Sequence, residues 1–176
     1  VEKLEQTMEA LGFEGIRVTG CDSYVEGIYD IFFRPVVNGL PFKESMQMDQ
    51  DAVLDVSASA LVSEAGIAEL YIADGIWKVT EELPGDCMSA EKAADILEQY
   101  ILSGDLEGAE GVTYTQVELC WLPVTEDWRS AELIPVWRFS VPDDERSLLD
   151  EKRLLGANIS PDICINAVDG ELEWTL

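Results

Sequence analysis

The sequence predicts an α+β fold made of two helix-on-antiparallel-sheet units in tandem. An amphipathic helical pattern opens each half of the chain, and strand-like segments follow each helix. Three dipeptides typical of hairpin turns lie between strand-like runs: Asn38-Gly39, Asp74-Gly75 and Asp169-Gly170. Hairpins join antiparallel strands, and a helix can cover one face of such a sheet. We therefore expect one unit over residues 1–84 and a second over residues 85–176.

The first unit is expected to begin with a helix whose apolar residues recur at helical spacing: Val1, Leu4, Met8 and Leu11. Gly12 suits the position that ends this helix. Ile16–Thr19 predicts a short strand. Tyr24–Pro35 is rich in aromatic and β-branched residues, which predicts one central strand. After the Asn38-Gly39 turn, Pro41 places the return strand at an edge.

The rest of the first half alternates between loop and strand. Lys43–Gln50 is polar and predicts a loop. Ala52–Leu61 carries small apolar residues at alternate positions, which predicts a half-exposed strand. Gly66–Ile72 and Ile76–Val79 predict two further strands, joined by the second turn dipeptide.

The second unit is expected to begin after the break at Pro84-Gly85-Asp86. Ser89 is a candidate N-cap, and Gly104 is suited to end the helix. The residues between them form an apolar stripe: Ala93, Ile96, Leu97, Tyr100 and Ile101. A helix lying across the second sheet follows from this pattern.

Four strands are expected after this helix. Gly111–Val124 and Glu132–Ser140 alternate between apolar and polar residues. The other two strands flank Asp169-Gly170, beginning at Asp162 and at Glu171. The connection from Asp143 to Asn158 contains four leucines and predicts a short helical turn.

The charge of the chain limits the partners it can have. Thirty-six acidic residues oppose eleven basic ones, which gives a formal net charge of −25 over 176 residues. Such a polyanion is repelled by nucleic-acid phosphate and by anionic membrane surfaces. We therefore expect no nucleic-acid partner. We interpret the charge as favouring solubility, and the alternative is an acidic face that binds a basic partner or cations.

The chain contains no histidine, which removes the commonest general base and metal ligand. Phosphate-binding glycine loops and a nucleophile elbow are also absent from the sequence. Asp30 and Glu118 are inward-pointing carboxylates by alternation, with Arg34 and Arg138 available to pair with them. We interpret these acids as structural residues that lie at a sheet edge or pair with an arginine, and we assign no catalytic residues.

No metal or cofactor is expected. Cys21, Cys87, Cys120 and Cys164 show no metal-binding spacing, and the last two are expected to be small buried apolar residues. Calcium binding is an alternative for two acidic loops, at Asp143-Asp144-Glu145 and at Asp49 with Asp51. Their spacing does not match an EF-hand, which favours solvated loops.

The tryptophans are the candidates for contact with a partner. Trp121 and Trp137 lie in alternating strands and are expected in the core. Trp128 lies in an acidic turn, and Trp174 lies near the last residue of the chain. We expect these two to form a possible partner-contact surface, because exposed aromatic residues are frequent in binding sites.

Two segments of the second half resemble a known family. Pro135-Val-Trp-Arg-Phe139, followed by Ile165-Asn-Ala-Val-Asp-Gly-Glu-Leu172, is similar to the ending of PepSY-type domains. The layout is similar to that of the YycH/YycI-type regulators of histidine kinases. Tyr29-Asp-Ile-Phe-Phe33 with Asn38-Gly-Leu-Pro41 resembles segments of clostridial lipoproteins. The resemblance implies an anchored, extracytoplasmic domain without catalytic residues, which contacts a sensor kinase or a protease.

From these observations we expect a non-catalytic binding or regulatory module, the soluble part of a bacterial lipoprotein. The resemblance implies a location outside the cell or at its surface, with a membrane anchor in the full-length protein. Two alternatives stay open. One is a carboxylate-dependent hydrolase acting on cell-wall material, and the other is a carrier with a small-ligand groove between the two units.

Overall fold

The computed structural model describes residues 2–43, 58–73, 85–106, 109, 111–127, 130–142 and 161–175. Its elements follow in the order α1 (Glu2–Ala10), β1 (Gly15–Val25), β2 (Ile28–Val37), β3 (Leu40–Pro41), β4 (Ala58–Ser63), β5 (Gly66–Ile72), α2 (Ala90–Ser103), β6 (Gln116–Asp127), β7 (Ser130–Ser140), β8 (Asp162–Asn166) and β9 (Leu172–Thr175). Each helix packs against an antiparallel sheet, so the α+β prediction is confirmed.

The chain forms two compact units. Unit 1 comprises residues 1–83 with 121–133, and unit 2 comprises residues 84–120 with 134–176. The contiguous bounds expected from the sequence, 1–84 and 85–176, stay a prediction. Neither of the two helices in the described part of the chain is long and apolar enough to cross a membrane.

Helix α1 covers one face of the first sheet. It buries Leu4 and Met8 among residues of β2 and β4, and burial of a side chain of this size contributes about 1.5–3 kcal/mol. The helix ends as predicted at Gly12, which has a φ of 97°. The N–H of Gly12 donates to the Glu9 carbonyl and that of Phe13 to the Met8 carbonyl, the pair of bonds that defines a Schellman motif.

The first sheet has the strand order β1-β2-β4-β5, with β3 pairing to β2 beside this path. The single strand expected over Tyr24–Pro35 is instead the end of one strand, a turn and the start of another. The turn lies at Glu26-Gly27, where Gly27 has a φ of 78°. The Asn38-Gly39 hairpin is confirmed, since Asn38 has a φ of 49° and Gly39 a φ of 74°.

Residues on β2 alternate between the two faces of this sheet. Ile31 and Phe33 lie in the core beneath α1, together with Ala58 and Ala60 of β4. Because successive side chains point to opposite faces, Asp30, Phe32 and Arg34 belong to the face away from α1.

Unit 1 also includes part of the long strands β6 and β7. Trp121 and Leu133 pack against Val37 and Phe42, and the Trp121 Nε1 donates to the Val37 carbonyl at 2.7 Å. The Lys43 N–H donates to the Trp121 carbonyl at 2.7 Å. A single indole thus satisfies a main-chain carbonyl and covers apolar surface.

Helix α2 covers the second sheet, in which the strand order is β6-β7-β8-β9. The predicted N-cap is confirmed, because the Ser89 Oγ accepts from the Lys92 N–H at 3.3 Å. The predicted end is confirmed at Gly104, with a φ of 83°. Its apolar stripe packs against one face of β7 and β8, through Ala93 and Leu97.

The Asp169-Gly170 hairpin is confirmed, but its turn differs from the two-residue type. Gly170 has a φ of 86°, and Asp169 has no positive φ. Five residues separate β8 from β9, and the Asn166 side chain organises them. Its Oδ1 accepts from the N–H groups of Val168 at 2.9 Å and Asp169 at 3.4 Å. Main-chain bonds also close the turn, since the Gly170 N–H donates to the Asn166 carbonyl at 3.0 Å and the Asn166 N–H donates to the Glu171 carbonyl at 2.8 Å. The amide side chain adds to these bonds.

Candidate functional site

The face of the first sheet opposite α1 carries exposed aromatic and acidic side chains. We name as the aromatic-acidic face the following six residues of β2, β4 and β5: Asp30, Phe32, Ser59, Leu61, Glu69 and Tyr71. Their positions follow from the antiparallel register of the three strands. Large aromatic side chains at accessible positions are the feature that sets this face apart from an ordinary solvated sheet.

The register arranges these six residues in two rows across the sheet. In one row Phe32 is paired with Ser59, and Ser59 with Tyr71. Since neighbouring strands are about 4.8 Å apart, the backbones of Phe32 and Tyr71 are roughly 9.6 Å apart with a small serine between them. Phe32 is 38% exposed and Tyr71 is 55% exposed. A strip of sheet lined by two aromatic side chains is therefore open to a partner.

The second row is acidic. Asp30 is paired with Leu61, and Leu61 with Glu69, so an aliphatic side chain separates two carboxylates. On the other side Asp30 is paired with Asp22 of β1. Glu69 and Asp22 are exposed, and Asp30 is half-buried. This row lies two residues, roughly 6.6 Å, along the strands from the aromatic row.

A glycine on β1 shapes the position of the Phe32 ring. Gly20 is paired with Phe32, and a Cβ added to Gly20 would lie 3.4 Å from the Phe32 Cδ2. The ring therefore leans over the space that a side chain on β1 would occupy. This cross-strand contact covers the glycine and leaves the strip above Ser59 wider.

Positive charge lies on the far side of the aromatic row. Arg17 is paired with Arg34. Arg17 is exposed, whereas Arg34 is buried and its Nη1 donates to the Phe42 carbonyl at 3.0 Å. Carboxylates thus lie at one end of the face, and Arg17 is exposed beyond the aromatic row at the other end.

Unit 2 contains a buried ion pair on the face of its sheet away from α2. Arg138 of β7 is 7% exposed and Asp162 of β8 is 1% exposed. The Arg138 Nε donates to Oδ1 at 3.1 Å and Nη2 to Oδ2 at 3.2 Å, which is the bidentate geometry of a strong pair. Arg138 is opposite Cys164 and Ser140 is opposite Asp162, so the pair is diagonal across the two strands.

The electrostatics of this pair extend to neighbouring groups. Burial works to lower the pKa of Arg138, but the charge and hydrogen bonds of Asp162 outweigh burial and raise it, with Cys120 and Cys164 adding to the effect. Burial, and secondly the Asp162 carboxylate, raise the pKa of Tyr114 to about 12. The guanidinium and the phenol therefore both keep their protons at neutral pH.

The buried pair is suited to fixing structure. A substrate would have to reach the carboxylate of Asp162, a residue that is only 1% exposed. Sequence reasoning named Arg138 as an available partner for a carboxylate, but it did not find Asp162. Asp162 could have been found only from the register of β7 and β8, which shows that Arg138 and Asp162 lie on the same face of the sheet.

A shallow cleft of about 400 Å³ lies in unit 2, between the end of α2 and the turn before β9. Tyr100 spans it, with its hydroxyl donating to the Gly170 carbonyl at 3.5 Å. The Ser103 Oγ donates to the Asp105 carboxylate at 2.6 Å, and Asp169 lies opposite. Two carboxylates at the negative end of a helix dipole favour a positive charge here.

The described residues do not test whether the two tryptophans expected to contact a partner share a surface. Trp128 lies outside the part of the chain that the structure describes. Trp174 lies on β9, opposite Cys164. Its role in partner contact stays a prediction. Trp121 and Trp137 pack on core clusters as predicted, and the Trp137 Nε1 donates to the Met88 carbonyl at 2.9 Å.

The remaining sequence candidates are placed as follows. Cys120 and Cys164 are buried, as predicted, while Cys21 and Cys87 are exposed. The acidic loops around residues 49–51 and 143–145 lie outside the described residues. Within the described ranges, no cluster of three or more acidic or thiol side chains is arranged to hold a metal ion.

The fold and these surfaces define a two-unit α+β protein with an accessible sheet face. A scan of protein-family models, a search of curated proteins and a search of solved structures found no match to the chain.

Proposed function

We propose that this protein is a non-catalytic binding module that recognises a protein partner through the aromatic-acidic face. The observation that carries the proposal is the alignment of exposed Phe32 and Tyr71 across one sheet row, with Ser59 between them. Accessible aromatic residues contribute most to many protein interfaces, because they bury large areas with little loss of side-chain freedom.

The scaffold beneath this face is suited to recognition. The opposite face of β2 and β4 is packed against α1 through Ile31, Phe33, Ala58 and Ala60. Around these residues β4 is paired antiparallel on both sides, with a regular register from Ala58 to Leu61. The register to β5 shifts between Leu61 and Val62. Side chains on such a sheet are presented in a fixed arrangement, which reduces the entropy that binding must overcome.

The wider role we propose is regulatory and extracytoplasmic. The module would be the soluble part of a bacterial lipoprotein, contacting a sensor kinase or a protease at the cell surface. The support for this is the resemblance of the Pro135–Phe139 and Ile165–Leu172 segments to PepSY-type domains and of the layout to YycH/YycI-type regulators. The net charge of −25 disfavours like-charged partners and so adds selectivity.

A site-specific photo-crosslinker tests the proposal in cells of the source organism. Placed at Tyr71, it should give one discrete protein adduct, identifiable by mass spectrometry. Placed at Leu102 of α2, which is 78% exposed, it should give none, although random collision would favour this more accessible position. Phe32→Ala should reduce the Tyr71 adduct severalfold, because it removes the neighbouring contact.

Equal adduct patterns at the two positions, or no adduct at Tyr71, would overturn the proposal. Since the Phe32 ring also covers Gly20, loss of the adduct in Phe32→Ala requires a check that the amide spectrum of the sheet is unchanged. Ser59→Arg offers a second variant, because it fills the space between the two aromatic residues and should block the adduct by bulk alone.

A further inference from the structure

We infer that the segment bound at the aromatic-acidic face is basic, and that a lysine or arginine side chain lies along Leu61 between the carboxylates of Asp30 and Glu69. This inference rests on the proposed function and adds the chemistry of the partner to it. It comes from the sheet register, which places an apolar residue, two acids and two aromatic residues in neighbouring rows of three adjacent strands.

The acidic row has the spacing that a long cationic side chain needs. A cation above Leu61 is one strand spacing, about 4.8 Å, from the backbones of both β2 and β5. The Asp30 and Glu69 side chains extend from those strands, so both carboxylates can approach the same charge. Leu61 is half-buried and offers an apolar surface for the methylene stem of the cation.

The aromatic row adds a second attraction. Phe32 lies two residues from Asp30 on β2, and Tyr71 lies two residues from Glu69 on β5. The stem of a basic side chain that crosses from one row to the next lies beside both rings. Aromatic faces attract guanidinium and ammonium groups, and the attraction adds to that of the carboxylates.

The charges around the face fix where the cation is held. Asp22 continues the acidic row onto β1, whereas Arg17 and Arg34 lie beyond the aromatic row. A basic side chain is therefore drawn to the end of the face that holds Asp30 and Glu69. The net charge of the chain steers basic segments towards it over longer distances.

A pair of capped pentapeptides tests the inference. Each has two valines on each side of a central residue. That residue is arginine in one peptide and citrulline, its uncharged isostere, in the other. Titration of the full chain, followed by nuclear magnetic resonance at Leu61 and at the Phe32 and Tyr71 rings, should show tighter binding of the arginine peptide. Higher salt should remove much of the difference.

Matched variants locate the effect. Asp30→Asn and Glu69→Gln should each weaken binding of the arginine peptide by roughly two- to fivefold, the range for an exposed ion pair, and leave the citrulline peptide unchanged. Glu98→Gln, which removes one exposed charge from α2 in unit 2, should change neither peptide. An equal effect from Glu98→Gln would show that the net charge alone attracts the peptide, and would overturn the inference.

Failure of the inference can be told from failure of the proposed function. If both peptides shift the three reporter residues equally, the face binds a partner without preferring a cation. The inference is then wrong, and the proposed function stands if the Tyr71 crosslink is found. If the crosslinker at Tyr71 captures no discrete protein, the proposed function fails, and this inference fails with it.

Discussion

Replacing Asp162 by asparagine should destabilise unit 2 more than removing both charges of its buried ion pair. The Arg138 guanidinium is 3.0 Å from the Asp162 carboxylate, and both residues are almost wholly out of contact with solvent. Asparagine keeps the size of the side chain and removes its charge. The buried guanidinium then keeps its desolvation penalty without the attraction that offsets it.

The magnitude follows from the geometry. At 3.0 Å and an effective dielectric constant of about 20, the gross attraction is about 5.5 kcal/mol, most of which offsets the desolvation of the two ions. Removing one partner should therefore lower the free energy of unfolding by about 3–5 kcal/mol. The double variant Arg138→Met/Asp162→Leu leaves no buried charge, and its free energy of unfolding should lie within about 1 kcal/mol of the parent.

Amide hydrogen exchange of the β8 residues, measured in increasing urea, is the assay. It reports unit 2 directly, which matters because two units need not unfold in one transition. Arg138→Met alone serves as the second single variant. Loss of less than about 1 kcal/mol in Asp162→Asn, or a loss in the double variant equal to the sum of the two single losses, would refute the reasoning.

Two further predictions concern unit 2. The pKa of Tyr114 is raised from 10.0 to about 12, so its contribution to stability is complete below pH 10 and is lost as the pH rises through 12. A pKa difference of two corresponds to about 2.7 kcal/mol, which solvent screening of the half-buried ring reduces to about 1–2 kcal/mol. The free energy of unfolding in urea should fall by this amount between pH 10 and 12 in the parent and should not fall in Tyr114→Phe. Parallel pH profiles of the two proteins would contradict the prediction. Gly170→Ala should lower the free energy of unfolding in urea by about 2 kcal/mol, since the residue has a φ of 86° and its Cβ would lie 2.8 Å from the Ile96 Cδ1, which must shift. Gly104→Ala, with a φ of 83° and open space around the Cβ, should cost only about 1 kcal/mol, and equal losses would show that the contact with Ile96 does not matter.

Elements with local signals were predicted well from the sequence. Strand β5 has the expected bounds, Gly66–Ile72, because it is a short run rich in apolar residues that follows turn residues. Helix α2 begins after Ser89 and ends at Gly104 for reasons that lie within a few residues of each end. The turn at Glu26-Gly27 was missed, since the aromatic and β-branched residues on both sides of it form one continuous strand-like run.

The candidate site could be predicted only in part. Alternation along β2 predicted Asp30 as an inward-pointing carboxylate, whereas it is half-buried on the face of the sheet away from the core of Ile31 and Phe33. Its position in a row with Leu61 and Glu69 depends on the register of three strands, and no local pattern specifies that register. The same holds for the row of Phe32 and Tyr71. The bond from Trp121 to the Val37 carbonyl joins residues 84 positions apart and has no signature in either segment.

The membership of residues 121–133 in unit 1 has a consequence for the order in which the protein is made. Synthesis proceeds from the amino terminus, so the first unit is still missing a segment when residue 83 leaves the ribosome. The hydrogen bond to the Val37 carbonyl cannot form until Trp121, which is translated 84 codons later, has been made. Truncation anywhere before residue 133 would therefore leave both units incomplete.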